Sequence, residues 1–533
     1  MSLSARYGCS FLQAALLEMR GLSSDAPASE VKNWLSPDLE NLLTGLELGA
    51  TNGNAADLFR NLTSSSKVVV YGDYDVDGIS ATTLAMEMVM RKGAQVRYFI
   101  PHRFNQGYGV NSEVAALLAK RGCDLVIVVD CGTQDAEAVA LLKNRGIPVI
   151  IFDHHLVEEK PAVCDTLVNP QGGGDSIARK LCATGVLWCW AWQNEILTRE
   201  QLMDLLDLVA LATIADCVSF VSPLNRALVG GGISVLRRCG RAGLAILMEK
   251  LGINCRTLDS QTLAMKVIPC LNAAGRLALA DLAVKLLFPG ENLGQQADNI
   301  IMLNQKRRAL STKILTAVGS GSEDGYQYVL TDESWSVGVL SSVASRICSE
   351  RNTPVALAAA VGEIMRGTLR MPRGGDAVGV LKELSPLLCT WGGHRLAAGF
   401  SVKADRWADF RDKLEYLLSR VSVEAEKENL LHWLPGDLSL ETWKEAEALG
   451  PFGMENPAPL LYSPYGGLMK VLPLGKNSKH VKIDLGDSTL LGFGAAELLS
   501  DCGSLAGWVY KPRLDTWRNV TSLQLILEKM VVL

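Results

Sequence analysis

At 533 residues, and roughly 100–200 residues per domain, the chain has room for roughly three or four domains. Apolar residues at 48% and charged residues at 20% give an ordinary globular balance and exclude global disorder, and no apolar run approaches the ~18 residues of a membrane helix. A net charge of −5 excludes a uniformly basic surface, but local patches rather than bulk charge set a nucleic-acid-binding field.

Residues 5–62 read as a helical, polar-faced leader. Its most apolar stretch, FLQAALL at 11–17, is interrupted by Gln13 and followed by Glu18 and Arg20. That is the pattern of an amphipathic helix, not of a secretion signal, and it predicts a cytoplasmic protein. From Lys67 strands and helices alternate. KVVVY (67–71), residues 95–100, LVIVV (125–129) and PVIIF (148–152) read as strands, and residues 80–92, 112–121 and 135–145 as helices. Continuous apolar strands spaced by helices predict a parallel sheet covered on both faces. Residues 199–215 read as one apolar helix leading into Asp216. Residues 226–315 are mostly helical, and residues 326–420 return to mixed strand and helix. The last stretch reads as short strands broken by Gly, Pro and Asn, as in a small barrel. The thirteen cysteines are scattered without a CxxC pair, and are expected to be small buried residues in a reducing compartment.

Three of the strands end alike. Tyr71 leads into Gly72-Asp73-Tyr74-Asp75-Val76-Asp77-Gly78, Val129 into Asp130-Cys131-Gly132, and Phe152 into Asp153-His154-His155. Ligands of open α/β sheets bind at the carboxyl ends of the strands, so these side chains would converge, with Asp216 joining them. Taken singly, an Asp after a strand is a helix cap or turn former. DxDxDG alone resembles a calcium loop, but the glutamate at loop position twelve is missing. Convergence changes the reading. Six aspartates and two histidines cannot share a low-dielectric site without a cation. Carboxylates with some imidazole favour manganese or magnesium over zinc, and two such ions suit hydrolysis of a phosphoester or phosphoanhydride.

GDYDVDG, VVDCGT, DHH and ATIADCVS, in this order, resemble the four motifs of the DHH phosphoesterase superfamily. Within it the chain is similar to the RecJ family. IPHRFNQGYGVN (100–111), LNAAGRL (271–277), residues 335–346, GGHRLAAG (392–399) and PFGMENPAP (451–459) match in register. The resemblance implies an α/β fold with a parallel-sheet DHH domain, a long helical connector, a mixed α/β DHH-associated domain and a C-terminal OB-like β-barrel. The implied boundaries are an N-terminal leader at 1–62, the DHH domain at 63–225, the connector at 226–320, the associated domain at 321–425 and the OB-like domain at 426–533.

It also implies a single-strand-specific 5′→3′ DNA exonuclease of repair and recombination that uses two manganese or magnesium ions. Asp73, Asp75, Asp77, Asp130, His154 and Asp216 match the metal ligands. His155 and His394 match further catalytic positions. Arg103, Arg276, Arg346, Thr368, Arg370, Gly392, Gly393 and His394 match positions that bind the nucleic acid. A fork-shaped guanidinium suits phosphate oxygens, and paired glycines before His394 suggest close backbone approach. Lys306, Arg307, Arg308, Arg366 and Arg373 would extend the path in a cleft between the two lobes. Trp508, Tyr510 and Trp517 are candidates for base stacking in the OB-like domain, though such aromatics are as often core. The implied partners are single-stranded DNA with a 5′ end, a single-strand-binding protein and a helicase, with the enzyme a monomer.

The chain departs from the family pattern where Cys270 replaces an arginine, Ser336 a histidine and Thr368 a serine. These departures spare the metal positions. Two other readings use the same motifs: a DHH phosphodiesterase for short oligonucleotides or cyclic dinucleotides, and a catalytically silent Cdc45-like scaffold. The intact acidic set speaks against the scaffold.

Overall fold

The computed structural model describes the chain except residues 1–2, 52, 103–106, 158–159, 321–326, 425–428, 466–469, 476–478, 496–504, 518–519 and 533. It divides into two compact units. One comprises Met1–Pro269, Ala283–Ala297 and Asn429–Leu533; the other comprises Cys270–Leu282 and Asp298–Glu428.

The first unit is built around strands β1 (Lys67–Tyr71), β2 (Gln95–Phe99), β3 (Leu125–Val129), β4 (Val149–Phe152) and β5 (Thr166–Val168). All are parallel, in the order β2-β1-β3-β4-β5. Every residue of β3 and β4 is buried, so neither strand shows the alternation of a half-exposed one. The chain leaves β1 for β2 on one side and returns to place β3 on the other. That makes a topological switch point between β1 and β3, where their carboxyl ends open a crevice. Helix Val76–Arg91 runs from β1 and is buried over most of its length. The single helix expected over 199–215 is two, Arg199–Asp204 and Leu206–Ala215. Thr198 and Gln201 form a capping box that starts the first, and the turn at Leu205 separates them. The second is buried on every face from Leu206 to Ile214 and mostly apolar, as befits a helix enclosed by its neighbours.

The second unit carries β6 (Val329–Thr331), β7 (Val355–Val361), β8 (Ile364–Arg370), β9 (Leu388–His394) and β10 (Ala397–Lys403) in the order β6-β7-β8-β10-β9. Alternate residues of β7 serve opposite faces. Val355, Leu357 and Ala359 pack with Val339, Leu340 and Ile347 of helix Val337–Arg351. Ala356 and Ala358 join Phe400, Phe410 and Leu414, the last two from helix Trp407–Ser419.

The C-terminal part of the first unit is a seven-stranded sheet of β11 (Leu430–His432), β12 (Leu460–Pro464), β13 (Lys470–Leu474), β14 (His480–Asp484), β15 (Thr489–Gly492), β16 (Leu505–Trp517) and β17 (Val520–Val532). Its order is β11-β12-β16-β17-β15-β14-β13, a run with two ends among the described residues. Not all its strands are short: β16 and β17 have 13 residues each and pair along their whole length. Register shifts near Gly507 and Val509 let β16 carry a glycine, and beyond them Pro512 stands opposite Leu525 in regular register. N-terminal Leu12, Leu16 and Trp34 share a core with Ile483, Trp508 and Tyr510 of this sheet.

Not every cysteine is a small buried residue. Cys239 and Cys255 form a disulfide, and Cys217 and Cys389 are exposed. No described helix is long and apolar enough to cross a membrane.

Candidate active site

The β1 loop turns sharply into helix Val76–Arg91. Asp75 caps that helix, its Oδ1 accepting from Asp77 N at 2.9 Å and Gly78 N at 3.2 Å. Gly78 has no substitute there, because a Cβ would lie 2.6 Å from the Asp73 carbonyl oxygen. Asp77 points away from its own helix to the N-terminus of helix Ala183–Gln193. It accepts from Ala183 N at 2.7 Å, Thr184 N at 2.9 Å and Thr184 Oγ1 at 2.6 Å.

After β3, Asp130 adopts a left-handed backbone with φ +61°. Aspartate and asparagine tolerate this conformation better than other non-glycine residues, but it still costs of order 1–3 kcal/mol. Asp130 Oδ1 is buried without a hydrogen bond, and His154 Nε2 lies 3.4 Å away. His154 is held among carboxylates, with Nε2 3.9 Å from Asp77 Oδ2 and Nδ1 3.7 Å from Asp216 Oδ2. Asp216 ends helix Leu206–Ala215.

The cluster divides into three overlapping groups: Asp73, Asp75 and Asp130; Asp77, His154 and Asp216; and Asp130, His154 and His155. Within each, one ligand atom per residue lies within 4.8 Å of the others. Burial pushes the Asp130 carboxyl well above its ordinary range, and the charges of Asp77, Asp75, Asp73 and Asp216 push it further. Burial, then Asp77 and Asp75, raise Asp216 to about 8. Carboxylates so disfavoured as anions, with an orphaned oxygen among them, fit a divalent cation in place of protons.

Asp153 behaves differently. Its Oδ1 accepts from His154 N at 2.8 Å and His155 Nδ1 at 2.7 Å, and its Oδ2 from Thr133 Oγ1 at 2.6 Å. These bonds outweigh burial and hold it below the usual carboxylate range. Asp153 therefore orients the histidine pair and is not one of the converging ligands, unlike the other five aspartates. Burial pulls His155 down, but its bond to Asp153 and that charge win and raise it to about 9. Tyr108 Oη lies 2.9 Å from His155 Nδ1 and 3.1 Å from the Asp130 carbonyl. Thr184, Thr133 and Tyr108 were missed in the sequence because their partners are 20 to 107 residues away.

In the second unit, Arg370 Nε donates to Ser345 Oγ at 2.9 Å, and Nη1 donates to Thr368 Oγ1 at 2.7 Å and the Leu369 carbonyl at 2.9 Å. Arg346 pairs with Glu350 on the surface. Arg276 ends helix Ile268–Leu277. His394 is exposed at the end of β9. Close approach holds for Gly393, whose φ is +145° and whose Cβ would meet the Ala397 carbonyl at 2.4 Å; it does not hold for Gly392, which has open space. Lys306 and Arg308 are exposed, while Arg307 Nε donates to Asn304 Oδ1 at 3.0 Å. Arg103 lies outside the described residues, as does the side chain of Trp517. Trp508 and Tyr510 are core residues and cannot stack on bases. Among the described residues, the exposed Phe and Tyr rings of the C-terminal sheet are instead Tyr465, just after β12, and Phe493, just after β15.

Residues 67–213 match the DHH family, N-terminal domain; residues 323–420 match the DHHA1 domain; and residues 432–529 match the RecJ OB domain. The single-stranded-DNA-specific exonuclease RecJ of Haemophilus influenzae is 31% identical over 93% of this chain and 92% of its own length. The chain belongs to the RecJ family. The RecJ of Bacillus subtilis is 30% identical over 98% of this chain and 68% of its own length. The structure of Thermus thermophilus RecJ in complex with Mn2+ matches with a TM-score of 0.82 and 26% identity, covering 99% of this chain and 77% of that one.

Against the family pattern, the departure at Cys270 is accommodated inside the second unit. Its buried Sγ accepts from Asn304 Nδ2 at 3.1 Å. Ser336 stands at the N-cap of helix Val337–Arg351 without a side-chain capping bond. Thr368 keeps the hydroxyl that Arg370 grips.

Proposed function

We propose that the chain is a manganese- or magnesium-dependent exonuclease that removes 5′ mononucleotides from single-stranded DNA in the 5′→3′ direction. It acts as a cytoplasmic monomer in recombination and repair, on strands that a helicase and a single-strand-binding protein present. The observation that carries this reading is the acid-imidazole cluster at the switch point, in a chain whose three matched segments follow RecJ order.

Asp73, Asp75, Asp77, Asp130, Asp216 and His154 would hold two divalent ions. Once bound, the ions supply activated water and neutralise charge at the phosphate. The protein supplies the rest. Thr184 and the backbone of helix Ala183–Gln193 fix Asp77, and Asp153 fixes the ring of His155. His155, its ring oriented by Asp153, is placed as a donor for phosphoryl oxygens that gain charge in the transition state. In the second unit Arg276, Arg346, Arg370 and Thr368 bind phosphates, and His394 offers an exposed imidazole. Arg103 is assigned to the 5′ end by its motif alone.

The deciding experiment digests single-stranded oligonucleotides labelled at either end, with manganese, magnesium or EDTA, beside a duplex control. Mononucleotides should be released first from the 5′ label, only with metal, and not from the duplex. Cleavage confined to cyclic dinucleotides or very short oligonucleotides would place the enzyme in another DHH branch. DNA binding without cleavage in any metal would make it a scaffold.

Base stacking in the C-terminal sheet falls to Phe493 and Tyr465. A stacked base is worth ~1–3 kcal/mol, so Phe493→Ala should weaken binding of a single-stranded oligonucleotide about tenfold, with kcat near that of the parent. Fluorescence anisotropy measures it, and unchanged affinity would remove Phe493 from the binding surface.

A further inference from the structure

Two helices of the first unit present metal-site carboxylates from opposite directions. Helix Val76–Arg91 begins at Asp75 and Asp77, and helix Leu206–Ala215 ends at Asp216. Their other ends are joined through one side chain. Arg241 donates from Nη2 to Asp207 Oδ1 at 3.1 Å and also grips Asp207 through Nε. Its Nη1 donates to Glu87 Oε1 at 2.6 Å and to the Leu287 carbonyl at 2.6 Å. Arg91 secures the other Glu87 oxygen at 3.1 Å and donates to the Gln201 carbonyl at 3.0 Å. Arg241, Glu87 and Asp207 are each less than a tenth exposed.

This network is costly, because buried ion pairs lose much of their attraction to desolvation and often contribute little net stability. What it adds is direction. From Leu206 to Ile214 every residue of the second helix is buried, and most are apolar. Apolar contact is non-directional and leaves sliding and rotation weakly specified. Thr213 bonds back to Val209 of its own helix. The fork on Asp207 and the bond to Glu87 fix both helices to one planar group. At 1.5 Å per residue, the tie at Asp207 lies roughly 14 Å from Asp216 and the tie at Glu87 roughly 15–18 Å from Asp77 and Asp75, and a helix that slides along its axis carries both of its ends.

We propose that Arg241 is a positioning residue for the metal centre: it sets the register of the helix bearing Asp75 and Asp77 against the helix ending in Asp216. The inference rests on the metal-site reading above. Its test is a titration of the full-length protein with Mn2+ alone, reading free ion by electron paramagnetic resonance, beside thermal unfolding of the same samples. Arg241→Lys keeps the charge and loses the fork. The triple variant Arg241→Met, Glu87→Gln, Asp207→Asn removes the three most buried charges together, and only the part-exposed Arg91 loses an ion-pair partner. Changes that act on a site through intervening structure typically shift it roughly 2- to 30-fold, so the triple variant should bind Mn2+ several-fold more weakly and Arg241→Lys should fall between it and the parent. A merely stabilising role would lower the unfolding temperature and leave the affinity of the folded protein unchanged. Parental affinity in the folded triple variant overturns the proposal. If that variant does not fold, Asp207→Asn, which keeps the shape and one oxygen acceptor for Arg241, takes its place, and parental affinity there is equally decisive. A parent that binds no Mn2+, or binds it as well after Asp130→Asn, would overturn the metal-site reading itself, whatever Arg241 does.

Discussion

Asp130→Asn is expected to abolish turnover while leaving the metal-free fold as firm as the parent or firmer. Asparagine matches aspartate in shape and tolerates the left-handed backbone at this position, where φ is +61°. The substitution therefore removes one charge and little else. Alanine would add roughly 1–2 kcal/mol of backbone strain and blur the result. In the metal-free protein the lost group is one that burial and four neighbouring aspartates already disfavour as an anion. Removing it should not lower the unfolding temperature. Groups merely supporting a metal ligand change activity 10–100-fold, so losing a ligand should cost at least about 100-fold in kcat. Metal linkage gives a second readout. At a Mn2+ concentration of 100 times Kd, the parent should gain about 2.7 kcal/mol of stability, and Asp130→Asn should gain far less. Normal turnover in the variant would take Asp130 out of the metal site.

The convergence of Asp73, Asp75, Asp130 and His154 was legible in the sequence because they follow strands whose burial on both faces leaves an unmistakable apolar run. LVIVV predicts β3, and whatever follows it stands at the carboxyl edge. Other features depend on contacts that no local pattern encodes. Asp77 reads as a ligand in DxDxDG, but its bonds to Ala183 and Thr184 span over a hundred residues. Asp153 looks like one more carboxylate until its bonds to His155 and Thr133 show it fully engaged. Trp508 and Tyr510 are aromatic residues on a strand, and only the core they share with the N-terminal helices shows which way they face. Gly and Pro in the last stretch read as strand breaks, yet the long hairpin takes in Gly507 with a shift in register and carries Pro512 opposite Leu525. The apolar stretch before Asp216 hid a helix break because both halves are helical and the turn at Leu205 carries neither Gly nor Pro.

Arg370→Ala should remove most of the preference for a 5′-phosphorylated end. The guanidinium is already held by Ser345, Thr368 and the Leu369 carbonyl, so little ordering entropy remains to be lost when phosphate binds. A hydrogen bond to a charged group is worth about 1.5–3 kcal/mol, which predicts a loss of roughly 10- to 100-fold for the phosphorylated oligonucleotide and little change for its 5′-hydroxyl counterpart. Lysine retains the charge but cannot be gripped in the same plane, so Arg370→Lys should recover only part of the preference. Thr368→Ser keeps the hydroxyl and should behave as the parent, whereas Thr368→Val removes one of the two bonds that hold Nη1 and should move toward Arg370→Ala. Loss of one phosphate contact should also flatten the salt dependence of binding, by about 0.7 in the log–log slope for a single strand. Competition binding with the two oligonucleotides across a salt series measures both effects. If Arg370→Ala keeps the parental preference and slope, the 5′ phosphate is bound elsewhere, and the grip of Thr368 and Ser345 on this side chain serves only to brace β8 against helix Val337–Arg351.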